Sequence, residues 1–243
     1  VGSDSFAPFL VENLKSNQID TSHVTVDSSA TGTAIIVVDS NGQNSIVLSP
    51  GANGNVSPAD VDSASFSNSK LLMLQLEIPT PTVLHAAQKA RANGLTVILN
   101  PAPAKSLPAE LLSNVDILIP NESELALLTG LPVNDVDSAE RAAKEILKQG
   151  VKTVIVTLGS KGALLVTATQ VTQVDTYKVD VVDTTAAGDA FIGGFASAML
   201  NGKTLEDSVR YGCACGALAT TKFGAQPSLP TKDEVESFIL HPS

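Results

Sequence analysis

Tryptophan is absent from the 243 residues, and only two cysteines and three histidines are present. Cys213 and Cys215 stand two apart in an apolar, alanine-rich segment. On a helix they would point in different directions, and no second cysteine pair exists to complete a zinc site. They read as small core residues in a reducing compartment. His23, His85 and His241 share no ligand spacing. Basic residues are scarce as well. Fifteen Lys and Arg face 25 Asp and Glu, a net charge of −10. Neutralising nucleic-acid phosphates requires the opposite balance, so nucleic-acid binding is excluded. An acidic chain that holds an anion must do so locally, with backbone amides, a helix N-terminus or a metal ion. No apolar run reaches the ~20 residues of a membrane span, and no signal peptide is evident. The expectation is a cytoplasmic protein with no membrane partner. Neither a Walker A loop nor a G-x-G-x-x-G run occurs. The first residue is Val1, and Val1–Leu10 reads like the interior of a domain. A trimmed N-terminus is expected.

What is present suits one compact core, with 43% hydrophobic and 16% charged residues. From Asp60 onward strands alternate with helices. Leu71–Leu76 is a buried apolar run. Pro81–Asn93 carries Val83, Leu84, Ala87 and Ala90 at helical spacing, and Gly94 ends it. Strands follow at Leu95–Leu99, Val115–Ile119 and Lys152–Leu158. Helices are expected at Asn121–Thr129, stopped by Gly130, and at Ser138–Gln149, closed by Gly150. Ala163–Thr167 and Val171–Val179 read as a hairpin or edge pair. The tail is helical at Ala187–Asn201, Leu205–Lys222 and Lys232–Leu240. This alternation predicts an α/β fold, a mostly parallel sheet with helices on both faces. Ligands should bind beyond the carboxyl ends of its strands, after Leu76, Leu99, Ile119 and Leu158. Earlier, Thr33–Asp39 and Ser45–Leu48 flank Ser40-Asn41-Gly42-Gln43, a hairpin signal. Residues 31–50 are therefore expected to form a partial β lid, with 1–30 and 51–243 as the core domain.

Four runs could carry chemistry. Asp183-Thr184-Thr185-Ala186-Ala187-Gly188-Asp189 opens the small-residue helix Ala190–Leu200. Small residues let the backbone approach a ligand, and a helix start offers free N–H groups and partial positive charge. Asp189 in its first turn could take a proton from an attacking hydroxyl. Spacing alone equally fits an ordinary helix start with an acid in its first turn. Pro120-Asn121-Glu122-Ser123-Glu124 reads first as a capping box. Its functional reading puts Asn121 and Glu124 near a Mg²⁺–phosphate cluster. Thr157-Leu158-Gly159-Ser160-Lys161-Gly162 is a glycine-containing turn after a strand. It suits phosphates, or a plain turn. Glu77 ends a strand, where substrates bind, or is a solvated loop acid.

The order and spacing of these runs closely resemble the ribokinase family of sugar kinases over essentially all 243 residues. Asp183–Asp189 matches that family's C-terminal signature. Asn100-Pro101-Ala102-Pro103-Ala104, Pro120–Glu124, Thr157–Gly162 and Gly224-Ala225-Gln226-Pro227-Ser228 match its core members. The resemblance implies ATP-dependent phosphorylation of a pentose, at the 5-hydroxyl of ribose. Fructose phosphate or a nucleoside is the alternative acceptor within the family, and a non-catalytic nucleotide-binding fragment the alternative outside it. It implies Asp189 as general base, and the backbone of Ala186, Ala187 and Gly188 as an anion hole. Asn121, Thr157, Leu158, Gly159, Ser160, Lys161, Gly162, Gly188 and Asp189 would serve ATP. Glu77 and Asp189 would serve the sugar, and Glu124 the Mg²⁺ region. An activating K⁺ would sit among Asp183, Thr185, Ala219, Lys222, Gly224 and Ser228, mostly on carbonyl oxygens. Cys213 falls where such kinases often carry an adenine-contacting Asn. The family's opening Asp strand and Gly-Gly-Lys-Gly-x-Asn run would lie before Val1, with half of the lid. These 243 residues alone are therefore expected to be inactive. A homodimer through the lid is also implied.

Overall fold

The computed structural model describes residues 1–38 and 44–241. The chain opens with α1 (Phe6–Ser16), followed by β1 (Thr33–Val38), β2 (Asn44–Ser49) and the short α2 (Pro58–Ser63). Strands β1 and β2 pair antiparallel, Thr33 opposite Ser49 and Val38 opposite Asn44, as a separate two-stranded sheet. The expected Asn41-Gly42 turn lies outside the described residues.

The alternation then proceeds as β3 (Leu71–Leu74), α3 (Thr80–Ala92), β4 (Thr96–Leu99), α4 (Ala109–Leu112), β5 (Ile117–Leu118), α5 (Glu122–Thr129), α6 (Val136–Leu147) and β6 (Thr153–Thr157). The hairpin β7 (Ala163–Thr167) and β8 (Val171–Val174) precedes α7 (Ala187–Leu200), α8 (Leu205–Ala219) and α9 (Lys232–Leu240). The six strands lie in sequence order. β3 to β6 are parallel, and β7 and β8 are antiparallel additions.

Side chains in the strands alternate between two cores. Leu99, Leu118, Val154 and Val156 face one, with Val83, Ala86, Ala87 and Ala90 of α3 and Ala139, Ala142, Ala143 and Ile146 of α6. Both helices bury an i, i+3, i+4, i+7 stripe, which makes each an amphipathic layer. Ile98, Ile117, Ile119 and Ile155 face the other core, with Phe191, Ile192 and Phe195 of α7 and Val209 and Cys213 of α8. Two-sided burial is why these strands read as continuous apolar runs.

Helix α7 is apolar on nearly every side because it lies between the sheet and α8. Close approach depends on glycine. A Cβ on Gly212 would come within 2.9 Å of the Phe191 carbonyl oxygen, and one on Gly194 within 2.4 Å of Cys215 Sγ. Ala196 and Leu200, toward the end of α7, line one cavity with Lys70 and Leu71, at the start of β3. Helix α7 therefore runs against the parallel strands, and its N-terminus lies at their carboxyl edge.

Two expectations need correction. Leu71–Leu76 is not a wholly buried run. β3 is the edge strand, Met73 is 38% exposed, and the strand stops at Leu74. The second hairpin strand ends at Val174 rather than Val179. Helix α1, within the opening segment, lies on the surface with Phe6 and Phe9 exposed and only Ala7 of the helix buried.

Candidate active site

Parallel pairing from β3 to β6 brings the segments after four strands to one edge of the sheet. In order across that edge these segments carry Glu77, Asn100, Asn121 and Gly159. Thr157 N–H donates to Pro120 O at 2.9 Å, and Asn121 forms an isolated parallel bridge with Thr157. The Asn121 and Gly159 loops are thus joined.

Asn121 caps α5. Its side-chain oxygen accepts from Glu124 N–H at 2.8 Å, and Glu124 Oε2 accepts from Asn121 N–H at 2.8 Å. The expected capping box is present. Glu124 is only 8% exposed, and burial raises its carboxyl above the ordinary glutamate value. Beyond β6, Leu158 and Gly162 are buried, while Gly159, Ser160 and Lys161 are exposed. Gly162 has φ +84°, and a Cβ there would lie 2.0 Å from the Val174 carbonyl oxygen, so glycine is required by packing. Glu77 is exposed.

Helix α7 begins unusually. Its N-cap, Ala186, has φ +60° and ψ 8°, a left-handed conformation that costs a residue with a Cβ about 1–2 kcal/mol. No side chain caps this helix. Ala187 N–H makes a 3.3 Å turn bond to Thr184 O, and Ala190 N–H starts the helical ladder on Ala186 O. Among the described residues, the amides of Ala186, Gly188 and Asp189 have no protein acceptor. Three donors thus stand free at the positive end of a 14-residue helix. Asp189 is solvent-accessible at the same turn, and the surrounding protein's desolvation raises its carboxyl above the usual aspartate value.

The segment before α7 is fixed by Asp183. Its Oδ1 accepts from Thr185 N–H at 2.9 Å and from Thr185 Oγ1 at 2.7 Å, and its Oδ2 accepts from Gly224 N–H at 3.0 Å. These bonds lower its pKa, Gly224 contributing most. Val182 and Asp183 N–H both donate to Thr220 O. Ala219 and Ser228 are buried, and Ser228 Oγ donates to Ala225 O at 2.8 Å. Lys222 turns its ammonium to Glu234 at 2.8 Å, leaving only its backbone for a cation. The six expected K⁺ positions thus belong to two segments that meet.

The cysteines face apart as expected. Cys213 joins Phe191 and Val209 under the sheet, and Cys215 joins Ala190, Ala219 and Val235 beneath α9. Burial pushes both thiols up to about 12. Among the described residues no three His, Cys, Asp or Glu side chains converge on a metal-sized site. Among the described residues no helix is long and apolar enough to cross a membrane.

Sequence reasoning missed the left-handed Ala186, since alanine gives no signal of positive φ. It also assigned no role to Asn100 or Lys105, although both stand at the carboxyl edge.

The pfkB family carbohydrate kinase model matches residues 1–232. A ribokinase of Haemophilus influenzae is 43% identical over 244 residues, covering 99% of this chain and 80% of the relative. A Staphylococcus aureus ribokinase is 42% identical over 239 residues, 97% of this chain and 79% of the relative. The solved structure of Arabidopsis thaliana ribokinase complexed with ribose and ATP superposes with a TM-score of 0.91 at 34% identity, covering 98% of this chain and 80% of that one. The strand order, the free amides before Asp189 and these likenesses agree: the chain belongs to the pfkB family of carbohydrate kinases.

Proposed function

We propose that this site transfers the γ-phosphoryl group of ATP to a terminal hydroxyl of a pentose, converting D-ribose to D-ribose 5-phosphate. The observation that carries this reading is the group of free amides at Ala186, Gly188 and Asp189, set beside the Asp189 carboxylate at the sheet's carboxyl edge. The likeness to ribokinases supplies the sugar.

Asp189 takes the proton from the sugar hydroxyl as its oxygen attacks the γ-phosphorus. The bond from phosphorus to the β,γ-bridging oxygen breaks, and ADP leaves with that oxygen. Amides of Ala186, Ala187 and Gly188 receive the charge on the migrating phosphoryl, those of Ala186 and Gly188 being free of any protein acceptor among the described residues. Ala187 must give up its long bond to Thr184 to join them. Desolvation of Asp189 raises its basicity toward working pH, which favours proton acceptance. Asn121 and the loop Thr157–Gly162 hold the nucleotide, with Gly159, Ser160 and Lys161 presenting exposed groups and Leu158 only its backbone. Glu77 faces the sugar.

The residues fit both implied ions. Mg²⁺ keeps water and substrate phosphates as ligands, so a single carboxylate at Glu124, acting through water, suffices. When bound it would neutralise phosphate charge. For K⁺, Asp183, the Thr185 hydroxyl and carbonyls of Ala219, Lys222, Gly224 and Ser228 form an oxygen-only set without a carboxylate cluster. That set would order the turn before α7 rather than touch substrate. Residues 31–50 serve as a lid over a core of 1–30 and 51–243. The exposed Ile35, Val47 and Leu48 of the two-stranded sheet suit a homodimer contact. The reaction belongs in the ATP-rich cytoplasm.

The test is a panel of ribose, 2-deoxyribose, fructose, fructose phosphate and a nucleoside, each with MgATP, offered to the protein with the segment expected before Val1 in place, followed by ADP release. Ribose should give the highest kcat/KM. Preference for a phosphorylated sugar or a nucleoside would replace the substrate. Nucleotide binding without ADP release on any alcohol would replace the activity.

A further inference from the structure

Asn100 directly follows β4, the strand between the acceptor side of the edge and the nucleotide side. Its backbone N–H donates to Leu74 O, the end of β3, at 2.9 Å. Its side-chain Nδ2 donates to Ile119 O, beyond β5, at 2.9 Å. Ile119 N–H in turn donates to Leu99 O at 2.9 Å. One residue therefore ties three neighbouring strand ends together.

The segment that Asn100 starts extends the tie on the acceptor side. Leu76 N–H donates to Ala102 O at 2.8 Å, and Lys105 Nζ donates to Leu76 O at 3.1 Å. Both polar groups of Leu76, the residue before Glu77, are held by residues 102–105. On the other side Ile119 leads into Pro120, whose carbonyl takes Thr157 N–H, and into Asn121. A continuous hydrogen-bonded path thus runs from the residue before Glu77 to the strand end before Gly159. Most of its links are backbone to backbone. The two made by side chains are Lys105 to Leu76 and Asn100 to Ile119.

We propose that Asn100 is a positioning residue that sets the Asn121–Glu124 loop against the acceptor side through its bond to Ile119 O. Lys105 performs the matching task for Glu77. Ile119 O sits two residues before Asn121, whose side chain is committed to the cap of α5. A shift at Ile119 therefore moves the cap, Glu124 and Thr157 as a unit. Small misplacements of this kind cost phosphoryl transfer more than they cost folding, because its catalysis is mostly alignment. The carboxamide is also asymmetric in use. Nδ2 is engaged, while Oδ1 has no donor among the described residues and remains open to a water or substrate hydroxyl.

This inference rests on the kinase reading above, so its test separates the two. MgATP affinity is measured by calorimetry for the whole unaltered protein and for Asn100→Asp, Asn100→Ala and Lys105→Met. Circular dichroism and melting temperature are recorded beside it. Asp matches the size of Asn but cannot donate to Ile119 O. Both Asn100 variants should melt close to the unaltered protein and bind MgATP about ten-fold more weakly. Lys105→Met should leave MgATP affinity within two-fold (about the error of such a comparison) and raise the sugar KM instead. An Asn100 variant that folds and binds MgATP like the unaltered protein overturns the proposal. So does loss of fold in both Asn100 variants, which would make the residue structural. If the unaltered protein binds MgATP but phosphorylates no sugar, the kinase reading fails, while the Asn100 comparison still stands on binding. Absence of MgATP binding by the unaltered protein overturns both.

Discussion

Asp183 accepts a hydrogen bond from the amide of Gly224 at 3.0 Å, across 41 residues of chain. The same carboxylate holds Thr185, one residue before the left-handed Ala186. One side chain therefore joins the loop after α8 to the turn that exposes the free amides of α7. Replacing Asp183 with Ala should lower the melting temperature and abolish any extra stabilisation by KCl over NaCl. Calorimetry in the two salts checks this. The depressed pKa adds a sign. Asp183's contribution is in place above the ordinary aspartate range and is lost as pH falls through its lower folded value. The gap in stability between the unaltered protein and Asp183→Ala should therefore narrow only in strong acid.

Asn121 has two tasks that substitution can separate. Asn121→Ala removes the cap of α5, at a cost of about 1 kcal/mol, a fall of roughly 2–4 °C in a domain of this size. Asn121→Ser can still cap and should recover most of that stability. MgATP binding should stay weak in both if Asn121 also serves the nucleotide. Recovery of binding by Ser would leave Asn121 a cap alone.

Gly188 offers a test of where the phosphoryl group sits. A Cβ built there meets nothing within 4 Å, so the protein itself has room for alanine. Gly188→Ala should therefore keep or slightly raise the melting temperature, since alanine favours helix. Turnover should fall at least about ten-fold, because the methyl group intrudes on the anion. A stable variant with normal kcat/KM would place the phosphate elsewhere.

Much of this arrangement is legible in the sequence where it depends on local rules. Helices α3 and α6 follow from apolar residues at i, i+3, i+4 and i+7, and the cap of α5 from Asn121 and Glu124. Strands β4 to β6 follow from two-sided burial of Ile, Val and Leu. What escaped depends on distant partners. The shortened, half-open β3 results from its place at the edge, which no residue within Leu71–Leu76 encodes. The tie from Asn100 to Ile119 spans 19 residues, and that from Asp183 to Gly224 spans 41. The positive φ of Ala186 is imposed by the turn before α7 against alanine's own preference. Helix α1 escaped because a short surface helix that buries only Ala7 leaves a weak apolar pattern.

Desolvation of Asp189 gives a stability prediction of its own. Its raised pKa means that the folded state disfavours the ionised form. Below the ordinary aspartate value both states are protonated and no penalty exists. The penalty grows as pH rises through the raised folded value and is complete above it. The Asp189→Asn variant should therefore melt higher than the unaltered protein at neutral pH, and the advantage should vanish in acid. Equal melting temperatures at all pH values would remove desolvation as the cause.

The most direct measurement is turnover of Asp189→Asn, made in the enzyme with the segment expected before Val1 in place, with MgATP and ribose, beside its MgATP affinity. The substitution keeps the size of the side chain and the free amides of α7 but cannot take up a proton. The account predicts near-unchanged nucleotide binding with turnover reduced about 10²- to 10⁴-fold, the usual worth of a general base. A variant that keeps more than about a tenth of the unaltered rate contradicts it.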